Sequence, residues 1–193
     1  MILQLLRSGT AALHERVERT VDIPGHLGSL SNYTVMLARF HGFYAPLEDL
    51  LAGVGDYESV LIDIAARRKA HLIRDDLRTL GYTPEALAAL PACPILPTVA
   101  RLAEALGCLY VLEGSTLGGQ FIRREVAARL GLAPDRGCAF FAGYGERTGS
   151  MWKAFGVAVT AHADARPEDR DTIVVAAVET FTRLDQWFSG ELA

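Results

Sequence analysis

The chain reads as an all-α, single-domain protein, and three observations predict it. Apolar residues recur at three- and four-residue spacing along nearly its whole length. Strand-like alternation is almost absent. Glycine and proline close most of the periodic stretches. At 193 residues, half of them hydrophobic and 22% charged, the chain can bury one substantial core. It carries no linker, repeat or low-complexity tract.

The first helix places Thr10, Leu13, Val17 and Val21 on one face and ends at Pro24-Gly25. Ser31-Asn32 is the expected cap of a second helix, which runs through Met36, Phe40, Phe43 and Leu47 to about Leu51. A third is expected from about Ser59 to Leu80, stopped by Gly81 with Pro84 restarting the chain. Pro91, Pro94 and Pro97 mark a connecting loop. A long segment follows from about Thr98 to Leu130, closed by Gly131 and Pro134. The last two helices are expected at Thr148–His162 and Pro167–Trp187, the second opened by a helix-compatible proline. Cys108–Leu112 and Thr172–Val175 also fit short buried strands, although nothing nearby pairs with them.

Several function classes fall away on composition. No apolar run approaches the roughly eighteen residues of a membrane span. Met1–Arg7 lacks the basic start and apolar stretch of a signal peptide, so the cytoplasm is the expected compartment. A net charge of −4 with no basic stripe argues against nucleic-acid binding. Cys93, Cys108 and Cys138 have neither metal-ligand nor disulfide spacing and are expected to be buried free thiols.

Two motifs carry chemistry. Gly114, Gly118 and Gly119 interrupt an otherwise apolar helix, Leu109 to Leu130, although each interior glycine costs roughly 0.8–1 kcal/mol relative to alanine. Such a cost has a reason where the backbone bends or where something large must touch it. Gly114 and Gly118 lie four apart and so leave a flat strip of bare backbone on one face. On the first helix, His14 and Glu18 are one turn apart. A surface ion pair is the ordinary reading of such a pair, but a carboxylate at one imidazole nitrogen is also how metal-bound histidines are oriented. Arg7 lies two turns before His14, roughly 10 Å along the axis, about the span from a haem iron to its propionates. One helix would then cover one porphyrin face and the glycine-opened helix the other.

At these residues the sequence resembles the haem oxygenase family, particularly its bacterial, biliverdin-producing branch. The matching stretches are Leu6–Glu18 and Tyr110–Gln120. Weaker agreement at Tyr33–Glu48, Arg67–Gly81, Cys138–Phe141 and Gly149–Phe188 extends it over nearly the whole chain. The resemblance implies a haem oxygenase-like helical bundle, residues 1–193, with haem b sandwiched between the first helix and a glycine-kinked distal helix. It implies His14 as the axial iron ligand, Glu18 as its hydrogen-bond partner, and Gly114, Ser115 and Gly118 as the distal catalytic positions. Arg7, Tyr110 and Lys153 would face the propionates, and Phe181 would line the pocket from the last helix. The plain alternatives are solvated charges at Arg7 and Lys153 and core packing at Tyr110 and Phe181. One departure stands out. Family members of the animal type carry an aspartate just after the first distal glycine, where this chain has Ser115; a bacterial branch also lacks it.

The implied reaction is oxidative cleavage of haem to biliverdin, ferrous iron and carbon monoxide. It uses O2 and electrons from a ferredoxin or flavoprotein reductase, and a phytochrome is a possible acceptor of the biliverdin. A non-degrading haem carrier or sensor of the same fold is the alternative. A nucleotide-binding reading of Cys108–Gly119 lacks the Gly-x-Gly-x-x-Gly spacing, and a di-iron bundle would need Glu-x-x-His motifs that the chain does not have. A plain helical interaction module would not need the opened helix.

Overall fold

The computed structural model describes residues 1–192. Nine α-helices form within them: α1 (Ile2–Val21), α2 (Ile23–His26), α3 (Leu30–Ala52), α4 (Ala70–Thr79), α5 (Pro84–Ala88), α6 (Leu102–Leu130), α7 (Ala139–Ala142), α8 (Thr148–Ala165) and α9 (Arg170–Ser189). No strand appears among the described residues; both strand alternatives, Cys108–Leu112 and Thr172–Val175, are helical. Among the described residues no helix is long and apolar enough to cross a membrane.

Helix α9 is the shared partner of α1 and α6. It buries Ile173, Ala176, Ala177, Thr180 and Leu184, a three-and-four stripe facing both neighbours. Gly107 of α6 lets the two backbones meet, since a Cβ there would lie 2.3 Å from the Ile173 carbonyl oxygen. On the α1 side, buried Asp185 ion-pairs with Arg16 and accepts a 2.6 Å hydrogen bond from the Thr20 hydroxyl. Those contacts set the roll of α1 about its own axis.

Helix α1 ends at Val21, with Asp22 in the left-handed region at φ 44°. The expected stop, Pro24-Gly25, instead lies inside the short helix α2, whose first turn accepts the proline. The cap of α3 is Ser29, whose hydroxyl accepts from the Asn32 N–H, rather than Ser31-Asn32. Helix α6 begins at Leu102 and ends at Gly131, again in the left-handed region (φ 67°). It stays helical through all three distal glycines.

The expected helix from Ser59 to Leu80 is the main correction. Only its second half is α-helical; Tyr57–Val60 and Ala65–Arg67 are single 3₁₀ turns, and Leu61 takes φ 56° with its side chain in solvent. The cause is electrostatic. Arg67 and Lys69 are drawn inside to Glu113 of α6. Glu48 of α3 accepts the Lys69 and Ala70 backbone N–H groups, so α4 starts at a carboxylate supplied by another helix. Three short helices escape a periodicity reading because each is about one turn long: α2, whose Asp22 side chain accepts from the Gly25 N–H, α5, capped by Thr83, and α7, whose Ala139 and Phe140 N–H groups are held by Asp76.

Candidate functional site

A cleft of about 620 Å³ opens between α1 and α6, a size ordinary for a small-molecule site. Helix α1 supplies Arg7, His14 and Glu18 to one wall; α6 supplies Tyr110, Gly114, Ser115 and Gly118 to the other. Phe181 and Leu184 of α9 close one side. Phe40 and Tyr44 of α3, with Phe140 and Phe141 of α7, form an aromatic floor.

His14 stands on its wall with a half-exposed ring, edge-on to Phe181 with centroids 5.6 Å apart. Its Nδ1 lies 3.6 Å from Glu18 Oε1, just beyond hydrogen-bond reach. Its Nε2 makes no hydrogen bond among the described residues, which leaves that nitrogen for a ligand. Elsewhere among them no group of three or more His, Cys, Asp or Glu side chains converges as a metal site. A lone histidine suits a metal that arrives with its own equatorial ligands, as in a porphyrin.

The opposite wall is bare. A Cβ on Gly118 would meet nothing within 4 Å, and one on Gly114 only the Trp152 ring at 3.8 Å. The backbone strip expected at these positions therefore faces the open cleft. Gly119 is different: its Cβ would come 2.9 Å from the Phe141 carbonyl oxygen, so this glycine admits α7 rather than a ligand.

A profile of the Heme oxygenase family matches residues 1–190. The chain belongs to the haem oxygenase family. With membership comes the reaction class, an oxidoreductase that degrades haem. Among relatives, heme oxygenase PigA of Pseudomonas aeruginosa is 29% identical over 171 residues, covering 88% of this chain and 82% of that protein. The heme oxygenase of Xanthomonas campestris pv. campestris is 35% identical over 107 residues, covering 54% of this chain and 58% of that protein, so the match spans little more than half of its length. The fold matches the NO- and CO-bound heme oxygenase of Neisseria meningitidis with a TM-score of 0.81 at 24% identity, over 100% of this chain and 94% of that one. The heme oxygenase of Leptospira interrogans matches at 0.75 and 16% identity, over 98% of each.

In this chain Arg7 is exposed at the cleft wall and makes no ion pair among the described residues, Tyr110 packs against Trp152 (centroids 5.8 Å), and Phe181 is buried. Lys153 is the exception. It is exposed on α8 and does not line the cleft, whereas its neighbour Trp152 does. One helical step of about 100° separates adjacent side chains, so the two face different ways.

Sequence reasoning named Ser115 but missed the polar groups around and behind it. The Ser115 hydroxyl donates to the Leu112 carbonyl, and the Tyr44 and Ser115 hydroxyls are 2.9 Å apart. Ser115 has a single proton, so Tyr44 donates in that pair. Burial raises the Tyr44 pKa well above the ordinary phenol value, which keeps it a donor. Deeper still, Glu113 is fully buried; it pairs with Arg67, accepts from Lys69 Nζ at 2.7 Å and accepts from the Tyr144 hydroxyl at 2.7 Å. Lys69 also lines the cleft. Burial pulls its pKa down, opposed by Glu113. The available signal was Glu113 itself, a charge directly after the apolar run Leu109–Leu112, but its partners lie 31 to 46 residues away.

Proposed function

We propose that this haem oxygenase binds haem b between α1 and α6, with His14 as axial ligand, and cleaves it to biliverdin, ferrous iron and carbon monoxide. The observation that carries this reading is the His14 imidazole on one wall, its Nε2 without a hydrogen-bond partner among the described residues, with bare backbone at Gly114 and Gly118 on the other. Haem, as both substrate and cofactor, supplies the oxygen-activating chemistry. The residues supply position. A closure of a few tenths of an ångström brings the His14 Nδ1–H onto Glu18, which fixes the ring orientation and the tautomer that leaves Nε2 for iron. The strip at Gly114 and Gly118 admits the porphyrin face closely, and the aromatic floor excludes water from its inner edge. Arg7 on one wall and Tyr110 on the other meet the propionates and so set which ring edge points inward, while Lys153, outside the cleft lining, takes no part. Ser115, held by Tyr44, offers its second lone pair to water on the distal side. External electrons come from a ferredoxin or flavoprotein reductase.

Titrating hemin into the protein and then adding reductant in air tests the reading. A one-to-one Soret band, followed by its loss and growth of a broad red biliverdin band, supports it. A haem complex that survives a competent reductase supports the carrier reading instead, which the hydroxyl at Ser115 in place of an acid favours. His14→Ala is expected to lose the ferric-imidazole spectrum and turnover with the fold intact, checked by absorbance and circular dichroism. Wild-type spectra in that variant would overturn the axial assignment.

A further inference from the structure

A second concavity, about 530 Å³, opens between α3, α4 and α5 and shares no lining residue with the haem cleft. His41 and Asp49 border it from α3; His71, Arg74 and Arg78 stand one turn apart along α4; Arg68 precedes them. In a chain of net charge −4, this cleft gathers three arginines and two histidines around one aspartate. Asp49 is already engaged by Arg68, and Arg78 leans 3.4 Å from Asp75 outside the lining. Arg74 and both imidazoles make no hydrogen bond or ion pair among the described residues.

The lining from α5 is Pro84, Leu87 and Ala88, which adds no charge and gives the cleft an apolar side. One guanidinium without an ion pair among the described residues, Arg74, with two unpartnered imidazoles on one side and small apolar groups on the other, fits an organic anion. Guanidinium groups that converge favour the several oxygens of a phosphoryl group, which they can grip bidentately. The volume suits a small metabolite rather than a protein loop.

We propose that this cleft binds a small phosphorylated ligand, with Arg74 and Arg78 gripping the phosphoryl oxygens and His41 and His71 beside them. Burial, and then the charge on Arg74, hold the His41 pKa below its ordinary value. The titratable and charged groups around it are His71, Arg74, Arg78 with Asp75, and Arg68 with Asp49 and Glu48. Of these arginines Arg74 alone has no carboxylate partner among the described residues, so the unbalanced charge acting on His41 is positive. A bound anion reverses that field and favours protonated His41, which makes binding tighter at lower pH.

The test is titration of inorganic pyrophosphate into the whole protein at constant ionic strength, read by calorimetry and by the NMR signals of His41 and His71. The expected result is saturable binding, stronger at pH 6 than at pH 8, with the His41 pKa moving upward. Arg74→Gln, an exposed position, is expected to weaken binding about ten-fold or more while leaving thermal stability and the hemin titration unchanged. Three results would overturn the proposal: no saturable response, the same response to added chloride, or wild-type affinity in Arg74→Gln. A polyglutamate peptide that shifts both histidines when pyrophosphate does not would also overturn it and assign the cleft to an acidic protein partner. Hemin binding is read separately, so failure here leaves the haem assignment standing.

Discussion

The two sides of α6 use glycine for opposite ends. Toward the haem cleft, Gly114 and Gly118 stand before open space; toward α9 and α7, Gly107 and Gly119 stand where neighbouring carbonyl oxygens would meet any Cβ. The polar residues divide the same way. Ser115 is exposed on the open side, while Glu113, two residues earlier, is sealed among Arg67, Lys69 and Tyr144. One side of the helix keeps room for a ligand and the other holds the scaffold that makes that room rigid. Damage on the packed side should therefore appear as lost stability, and damage on the open side as lost haem binding with the fold intact.

The largest expected effect breaks the packed side. Glu113→Ala leaves two buried cations without their shared carboxylate and should cost about 3–5 kcal/mol in urea unfolding. A loss near zero would mean that the Arg67–Lys69 segment is held by something else. The pH dependence is next. Burial raises the Asp76 pKa from 3.8 to about 6, against the hydrogen bonds it accepts from Phe140 and Ala139. A carboxyl raised in the folded state favours folding while protonated, so its contribution is full below about pH 4 and declines as pH rises toward 6. Two units correspond to about 3 kcal/mol. Unfolding free energies of wild type and Asp76→Asn, compared from pH 4 to 7, should differ in slope over that window; parallel curves would remove this assignment.

The smallest changes sharpen the contrast most. Gly107→Ala forces a methyl into the Ile173 carbonyl and should destabilise by about 1–3 kcal/mol. Gly118→Ala meets open space and should leave stability unchanged or raise it by up to about 1 kcal/mol. Gly118→Leu should keep the fold yet lose hemin binding, because its side chain would occupy the ligand's space. Equal melting temperatures for Gly107→Ala and Gly118→Ala would erase the distinction between the two sides.

Local spacing was enough to read the helical class, the stop at Gly131, and the two motifs on opposite walls of the cleft. A four-residue interval sets a shared helix face wherever the helix is placed, so His14 with Glu18 and Gly114 with Gly118 were legible in the chain. Spacing has no access to partners far along it. The broken third helix follows from Glu113 and Glu48 drawing Lys69 and its neighbours inward, and the role of Phe140 and Phe141 follows from Asp76 holding α7. Which glycines are bare and which are packed was likewise decided by what α7 and α9 bring against them. Those outcomes rest on burial and on pairing of charges between distant segments, energies that exist only once the helices have met.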